Sequence, residues 1–356
     1  MSTAFAIISF LILLPLVVIA HELGHFLFAR WRGVKVQAFS IGFGKPIFKW
    51  MDRRGTEWRV GWIPLGGYVA LYGQSDLPEK PEEADKYLKA LTPEKRRGHF
   101  EFASRWVRAQ IIFGGPLFSY LFGFIIFFGL FLFSGVPGNE TIIQSVEPNT
   151  PAYVAGLQAG DRIVSVGGRE LSKRVHLPEE VARAGGEELS ISIIRDGAEL
   201  AVLATPVDGR LGVAFMASQE ERRPAGVIGA GREALADVWF ISSRTSVAIF
   251  EMLTGTRDAG ELGGLLTIAE VSGEALRLGA FQFLYIVGLI SVTLGLFNLL
   301  PIPFLDGGHL IVMGIEAVRR RDFSMKTKAR IITVGFWLVM ALMVLANFND
   351  VTRLFR

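Results

Sequence analysis

Apolar residues along the chain fall into two kinds of run. Four runs are long and nearly unbroken, at 4–29, 106–133, 281–303 and 331–348. About 20 apolar residues in helical form cross a bilayer, so each run predicts a membrane-spanning helix. The first lacks a basic leader and is too long for a signal-peptide core, so it is expected to stay with the protein. The second kind of run is short and alternating. "LSISIIRDGAELAVLATPV" alternates apolar and polar positions around Asp196–Gly197, a hairpin turn. Residues 136–215 are therefore expected to form a small, mostly β, soluble module.

The stretches between these runs complete the division. Residues 30–105 contain "VQAFSIGFGKPIFKW" and "TEWRVGWIPLGGYVALYG", aromatic and β-branched segments around a turn at Asp52–Gly55. They predict a strand pair or small sheet, apolar enough to dip toward the membrane, or alternatively an exposed hairpin. "SDLPEKPEEADKYLKALTPEKRRG" reads as solvated. Residues 216–280 read as amphipathic and helical. Arg232, Asp237 and Arg244 argue for a helix on the membrane surface or on the module rather than a fifth span. The order is thus span 1–29, β region 30–105, span 106–135, module 136–215, helical region 216–280, span 281–304, loop 305–330 and span 331–349.

Charge orients this arrangement. Arg30, Arg32, Lys35, Lys45, Lys49, Arg53, Arg54, Arg59, Lys95, Arg96 and Arg97 follow the first span. Arg319, Arg320, Arg321, Lys326, Lys328 and Arg330 lie between the last two. Basic residues flank spans on the cytoplasmic side, so both loops are expected there, with the module on the far side. The chain has 356 residues, 51% hydrophobic, with a net charge of only +3, and nothing in it points to nucleic acid. Mean hydropathy is +0.39. It has no cysteine, which excludes disulfides, thiolate zinc sites and cysteine nucleophiles. An imidazole metal site must draw on five histidines, His21, His25, His99, His176 and His309.

Two of the five lie in the first apolar run, in "VVIAHELGHFLFARW". Titratable groups at bilayer depth cost roughly 2.5–3.5 kcal/mol each, so this cluster needs a compensating role. His21-Glu22-Leu23-Gly24-His25 fits H-E-x-x-H. On a helix, i and i+4 share a face, so both imidazoles can bind one metal. Glu22 is offset and available as a base on the attacking water. A purely structural polar cluster binding a neighbouring helix is the alternative. Catalytic zinc takes three protein ligands. The extension that supplies a third histidine is missing here, with Phe28 and Trp31 at the diagnostic positions.

The third ligand is expected from "FNLLPIPFLDGGH", Phe297–His309. Asp306 and His309 are one helical turn apart, so either can reach a common site. Asp306 is favoured. It lies nearer the span, two glycines let the backbone turn beside it, and a carboxylate neutralises part of the dication. His309 then takes a supporting role. Alternatively Asp306 merely caps the following helix.

These residues carry a resemblance. The chain is similar to the site-2 protease family of intramembrane zinc metalloproteases, and most resembles its bacterial regulator-of-sigma-E branch. The likeness rests on HELGH at 21–25, "FSIGFGKP" at 39–46, "IPLGGYV" at 63–69, "GGP" at 114–116 and "NLLPIPFLDGGH" at 298–309, in that order. It implies a polytopic α-helical membrane protein of about four transmembrane helices with a membrane-dipping β element. It implies Zn2+ bound by His21, His25 and Asp306, with Glu22 as general base. Asn298 would help place the substrate carbonyl. The glycine-rich strands, with Gly42, Gly44, Gly66 and Gly67, would guide an extended substrate.

The module is similar to a PDZ domain through "NTPAYVAGLQAGDRIVSVGGREL", 149–171. The resemblance implies a periplasmic domain that binds peptides or screens substrates by size; a plain spacer is the alternative. It further implies a multi-pass protein of the bacterial inner membrane. The expected substrate is a transmembrane protein such as a pre-cleaved anti-sigma factor.

Departures from the family pattern are Ser119 and Thr293, where asparagine is usual, Leu265 for proline, and a single PDZ-like module where some members have two. A different class of function remains beside the protease: a metal-binding membrane adaptor that holds peptides without cutting them. Metal transport fits less well, because the ionisable residues cluster at one level.

Overall fold

The structure is a computed structural model that describes residues 3–354, apart from 75, 79, 138–140, 172–176, 208, 218–221, 259 and 261. His176 lies outside the described residues. The chain divides into two compact units, residues 131–233 and the remainder.

The larger unit begins with helix α1 (Thr3–Trp31), strands β1 (Val36–Met51) and β2 (Glu57–Leu71), short helices α2 (Pro81–Ala90) and α3 (Pro93–Arg96), and the long helix α4 (Arg105–Ser134). The smaller unit carries β3 (Val136–Pro137), β4 (Thr141–Val146), α5 (Pro151–Val154), β5 (Arg162–Val166), β6 (Arg169–Glu170), α6 (Leu177–Arg183), β7 (Leu189–Arg195), β8 (Ala198–Ala204), β9 (Val213–Ala217) and β10 (Arg222–Arg223). Helix α7 (Gly226–Thr254) leads back. It is followed by α8 (Leu265–Leu278), α9 (Ala280–Asn298), α10 (Asp306–Arg319) and α11 (Met325–Leu354).

Four helices among the described residues are long and apolar enough to cross a membrane: Phe5–Trp31, Arg105–Ser134, Ala280–Asn298 and Met325–Arg353. Helix α7 is not among them, because its charges lower its hydropathy. Asp237 on α7 is buried and accepts a hydrogen bond from the Tyr285 hydroxyl at 3.3 Å. The third span is shorter than its hydropathy suggests. It stops at Asn298, because Pro301 and Pro303 cannot donate to a continuing helix. The polar stretch after β2 is not simply a solvated loop. It contains α2, whose proline start and acidic first turn favour a helix, and Lys326 at the start of α11 pairs with its Glu82 at 2.8 Å.

Strands β1 and β2 bend at glycines, so their halves assemble into a wider sheet. Segment 36–41 pairs with 67–71 on one side and with 57–60 on the other, while 48–51 pairs with 57–60 beyond it. Gly42 and Gly66 sit at φ +84° and +129°, where a Cβ is disfavoured. Arg30 at the end of α1 holds the turn of this sheet. It pairs with Asp52, bonds Thr56 Oγ1 at 3.0 Å and lies 4.3 Å over the Phe26 ring. Thr56 in turn donates to the Val36 carbonyl at 2.8 Å. The sheet is thereby anchored to the helix that carries HELGH. Phe26, Ala29, Val36, Phe39, Leu71, Ile111 and Ile112 form the shared core.

The smaller unit is a sheet in the order β8-β7-β5-β4-β9, with β6 on β5. Its core is aliphatic: Ile143, Leu157, Ile163, Val166, Ile191 and Ile193 are almost fully buried. Asp161, itself buried, pairs with Arg195 at 2.6 Å and accepts the Gln158 amide at 2.8 Å. Burial pushes the Asp161 carboxyl up, but the Arg195 guanidinium and the amide outweigh it and hold the group below the usual carboxylate range.

Candidate metal centre

Glycine decides where the helices meet. A Cβ at Gly24 would overlap the Gly114 carbonyl, and one at Gly114 would lie 2.8 Å from the Gly24 carbonyl oxygen. α1 and α4 therefore touch backbone to backbone. The next residue, Gly115, makes room for the imidazoles, since a Cβ there would overlap the His25 and His21 rings. On the other side, Gly307 and Gly308 at the start of α10 press against the Leu299 and Ile302 carbonyls. This seats Asp306 opposite the two histidines.

Three atoms converge as a result. His21 Nε2 lies 3.2 Å from Asp306 Oδ2, His25 Nε2 lies 3.5 Å from the same oxygen, and the two Nε2 atoms are 3.3 Å apart. Zinc bonds of about 2.0–2.2 Å in tetrahedral array separate their ligand atoms by roughly 3.3–3.6 Å. The triangle thus has the size of one face of a zinc tetrahedron.

Its chemistry agrees. His25 Nδ1 lies 2.9 Å from the Ile111 carbonyl oxygen. That oxygen can only accept, so Nδ1 carries a proton, and in the neutral ring that a metal takes Nε2 is the bare lone pair. Asp306 Oδ2 is buried and accepts no hydrogen bond. Lone pairs converging at this spacing repel unless a cation sits among them, so the residues present fit zinc. No other cluster of three such ligands occurs among the described residues.

Glu22 is half-buried beside this triangle. Strand segment 67–71 passes over it, and a Cβ at Gly67 would sit 3.7 Å from Glu22 Cγ and 2.7 Å from the Ser40 carbonyl oxygen. Gly42 and Gly44 lie at the bend in β1 with φ +84° and +85°, facing Ile63 and Trp62 of β2. They sit in the sheet rather than in the ligand cluster. Asn298 ends α9 and donates to the Leu294 carbonyl at 3.0 Å. His309 is not among the three converging residues.

His309 instead lines a cavity of about 330 Å³ one turn further along α10, with Glu101, Arg108, Ile112, Glu316 and Lys328. Burial lowers the His309 pKa and favours a neutral ring. Glu316 is fully buried and accepts the Phe323 amide at 2.8 Å; Lys328 lies 3.4 Å from it. Arg108 reaches Glu101 at 3.3 Å. The rest of the wall is largely apolar, with Leu77, Phe100, Val312, Met313 and Ile332.

Two functional contacts escape a reading of motifs. They are the Ile111 carbonyl on His25 and the Ser119 hydroxyl, 3.0 Å from His21 Nδ1. Ser119 is visible in the sequence only as a departure from an expected asparagine.

Known proteins match this sequence over nearly the full chain. Residues 9–342 match the pattern of Peptidase family M50. A Mesorhizobium japonicum protein named "Putative zinc metalloprotease" is 35% identical, with 97% of this chain and 98% of that protein aligned. A Rhizobium meliloti protein of the same designation is 32% identical over 99% of this chain and 97% of its own. Metalloprotease MmpA of Caulobacter vibrioides is 30% identical over 98% and 95%. The chain therefore belongs to Peptidase family M50, the site-2 protease family: it is a zinc metalloprotease of multi-pass membrane architecture.

Proposed function

We propose that this protein cuts a transmembrane protein substrate within its membrane-spanning segment. The observation that carries the reading is the position of the ligand triangle. Two of its members sit inside α1, in its C-terminal half, and α1 is a helix apolar enough to cross the bilayer. In this reading His21, His25 and Asp306 hold the zinc. When bound, zinc supplies Lewis acidity, which polarises the scissile carbonyl and makes water more acidic. Glu22 takes a proton from the attacking water and delivers it to the departing amine nitrogen as the C–N bond breaks. Asn298 helps place the scissile carbonyl.

A helical substrate shields its own peptide bonds, so it must be drawn out straight. Gly42, Gly44, Gly66 and Gly67 shape the sheet that does this, and segment 67–71 is an edge strand running beside Glu22. An extended segment added there would present its backbone to the site.

The smaller unit serves as a PDZ-like module on the periplasmic side of the bacterial inner membrane. A groove of about 550 Å³ is lined by Leu177 and Val181 of α6 and by Arg210, Leu211 and Val213 before and within β9. It screens substrates whose outer domain has not been trimmed, and a pre-cleaved anti-sigma factor in envelope-stress signalling fits that role. The decisive experiment is Glu22→Gln in purified protein with a model transmembrane substrate. The expected result is a full zinc complement with cleavage reduced at least a hundredfold. Substantial residual proteolysis would reject Glu22 as the base.

A further inference from the structure

The two histidines of the triangle are held differently. His25 faces the Ile111 carbonyl, an acceptor only, so its tautomer is set by the backbone. His21 faces a hydroxyl, Ser119 Oγ, at 3.0 Å. A hydroxyl can donate as well as accept. If it donated to Nδ1, the proton of a neutral ring would lie on Nε2, where it would block ligation. We propose that Ser119 is a positioning residue. Its hydroxyl accepts from His21 Nδ1–H, and so keeps Nε2 bare and aimed at Asp306 and His25.

The surroundings of Ser119 fit such a role. It is fully buried on α4, so no bulk water competes for the imidazole. Its own backbone carbonyl accepts from Ser291 Oγ of α9 at 2.8 Å, which fixes α4 at this turn. Gly295 on α9 leaves it space, since a Cβ there would lie 3.0 Å from Ser119 Cβ. Three helices thus meet at one residue, α1 on its hydroxyl and α9 on its backbone carbonyl, and α9, which supplies no metal ligand, gains a route to the centre. Outer hydrogen bonds of this kind orient metal-binding imidazoles and change affinity by about 10–100-fold.

The inference rests on His21 being a zinc ligand, and the test separates the two ideas. Full-length protein in detergent is stripped of metal. Zinc affinity is then read by competition with a chromophoric chelator, and metal-free thermal melting reports the fold. Ser119→Ala should weaken zinc about 10–100-fold, with metal-free melting moved by only a few degrees. Ser119→Thr, which restores the hydroxyl, should recover most of that loss. His21→Ala should bind far more weakly than either.

Wild-type affinity in Ser119→Ala overturns the positioning role. So does a threonine variant as weak as alanine with unchanged metal-free melting. If His21→Ala keeps wild-type affinity, the ligand assignment itself fails.

Discussion

The two units of this chain differ in what they bury where their elements cross. In the smaller unit the deepest positions are branched aliphatics, with Ile163, Ile191 and Ile193 at 1%, 0% and 0% exposure. At the helix crossings of the larger unit, small and polar residues reach the deepest positions beside apolar ones such as Leu13 and Val287: Gly24 lies against Gly114, and Ser119 and Ser291 are both fully buried. Toward the N-terminal end of α1, isoleucine points outward, as at Ile7 and Ile8, whereas Ile111 of α4 is buried in the core shared with the sheet. Water drives aliphatic side chains into a core. Lipid gives no such drive, so helices join through close backbone contact and buried hydrogen bonds. A reactive centre needs polar groups held in a water-poor place. The larger unit supplies that at the crossing of its helices, where its packing rule already favours small and polar residues.

The largest effect is expected from Asp306→Asn. The amide keeps the shape but lacks the charge, and leaves a dication among neutral ligands. Zinc affinity should fall at least a hundredfold, and proteolysis with it. His309→Ala should retain metal, because that ring lines the neighbouring cavity instead. Loss of metal from the histidine variant, with the aspartate variant fully loaded, would reverse the roles.

How far this centre was legible in the sequence follows from the kind of contact. His21 and His25 could be paired because i, i+4 places them on one helical face in any fold. Asp306 was narrowed to one segment by charge and by its place after an apolar run. The strand pair at 36–71 was visible as aromatic and β-branched segments around a turn, but not the bending that lets 36–41 pair on both sides. Ser119 was not legible as a partner of His21, because 98 residues separate them and the rotation of α4 against α1 is written in no motif. The glycines of HELGH and GGP stand out as letters, yet their reason is a mutual contact seen only in three dimensions. Helix α2 escaped because it is short and polar overall, inside a proline-bearing charged stretch; only Ala84 of it is buried.

Gly24→Leu tests that contact directly. The new side chain would be driven into the Gly114 backbone, which cannot move aside as a side-chain end could. Overpacking of this kind should cost more than about 3 kcal/mol, seen as loss of folded, zinc-binding protein during purification. A variant with normal yield and zinc content would mean that α1 and α4 do not meet here.

In the smaller unit the comparable injury is a cavity. Ile191→Ala removes three carbons from a fully buried site on β7 and should destabilise the unit by about 3 kcal/mol. Hydrogen exchange of the β5 and β7 amides in the full chain measures it. Exchange in α1 and α4 should stay unchanged, since the injury is confined to one unit's core.

Asp161→Asn should cost about 2 kcal/mol, the worth of charge-assisted bonds to Arg195 and the Gln158 amide. The pH dependence has a definite sign. The folded Asp161 carboxyl is held below its unfolded value of about 4. Its stabilisation is therefore complete above that pH and fades as pH falls through the folded value. Wild type and variant should differ fully at neutral pH and converge in acid. A difference that stayed constant on acidification would show that the ionised carboxylate is not what stabilises the turn.

The smallest effect completes the contrast. Ile8→Ala makes the same chemical change as Ile191→Ala, but Ile8 is 54% exposed on a membrane-spanning helix. Its side chain faces lipid in the folded protein, and a separated α1 would still present it to lipid. No apolar surface moves out of water when the helices associate, and no cavity opens when the side chain is cut back. Stability should change by less than about 0.5 kcal/mol, read as an unchanged midpoint when helix association is disrupted by denaturing detergent. A loss above about 1 kcal/mol, in the range of a packed methylene or more, would mean that Ile8 packs against protein.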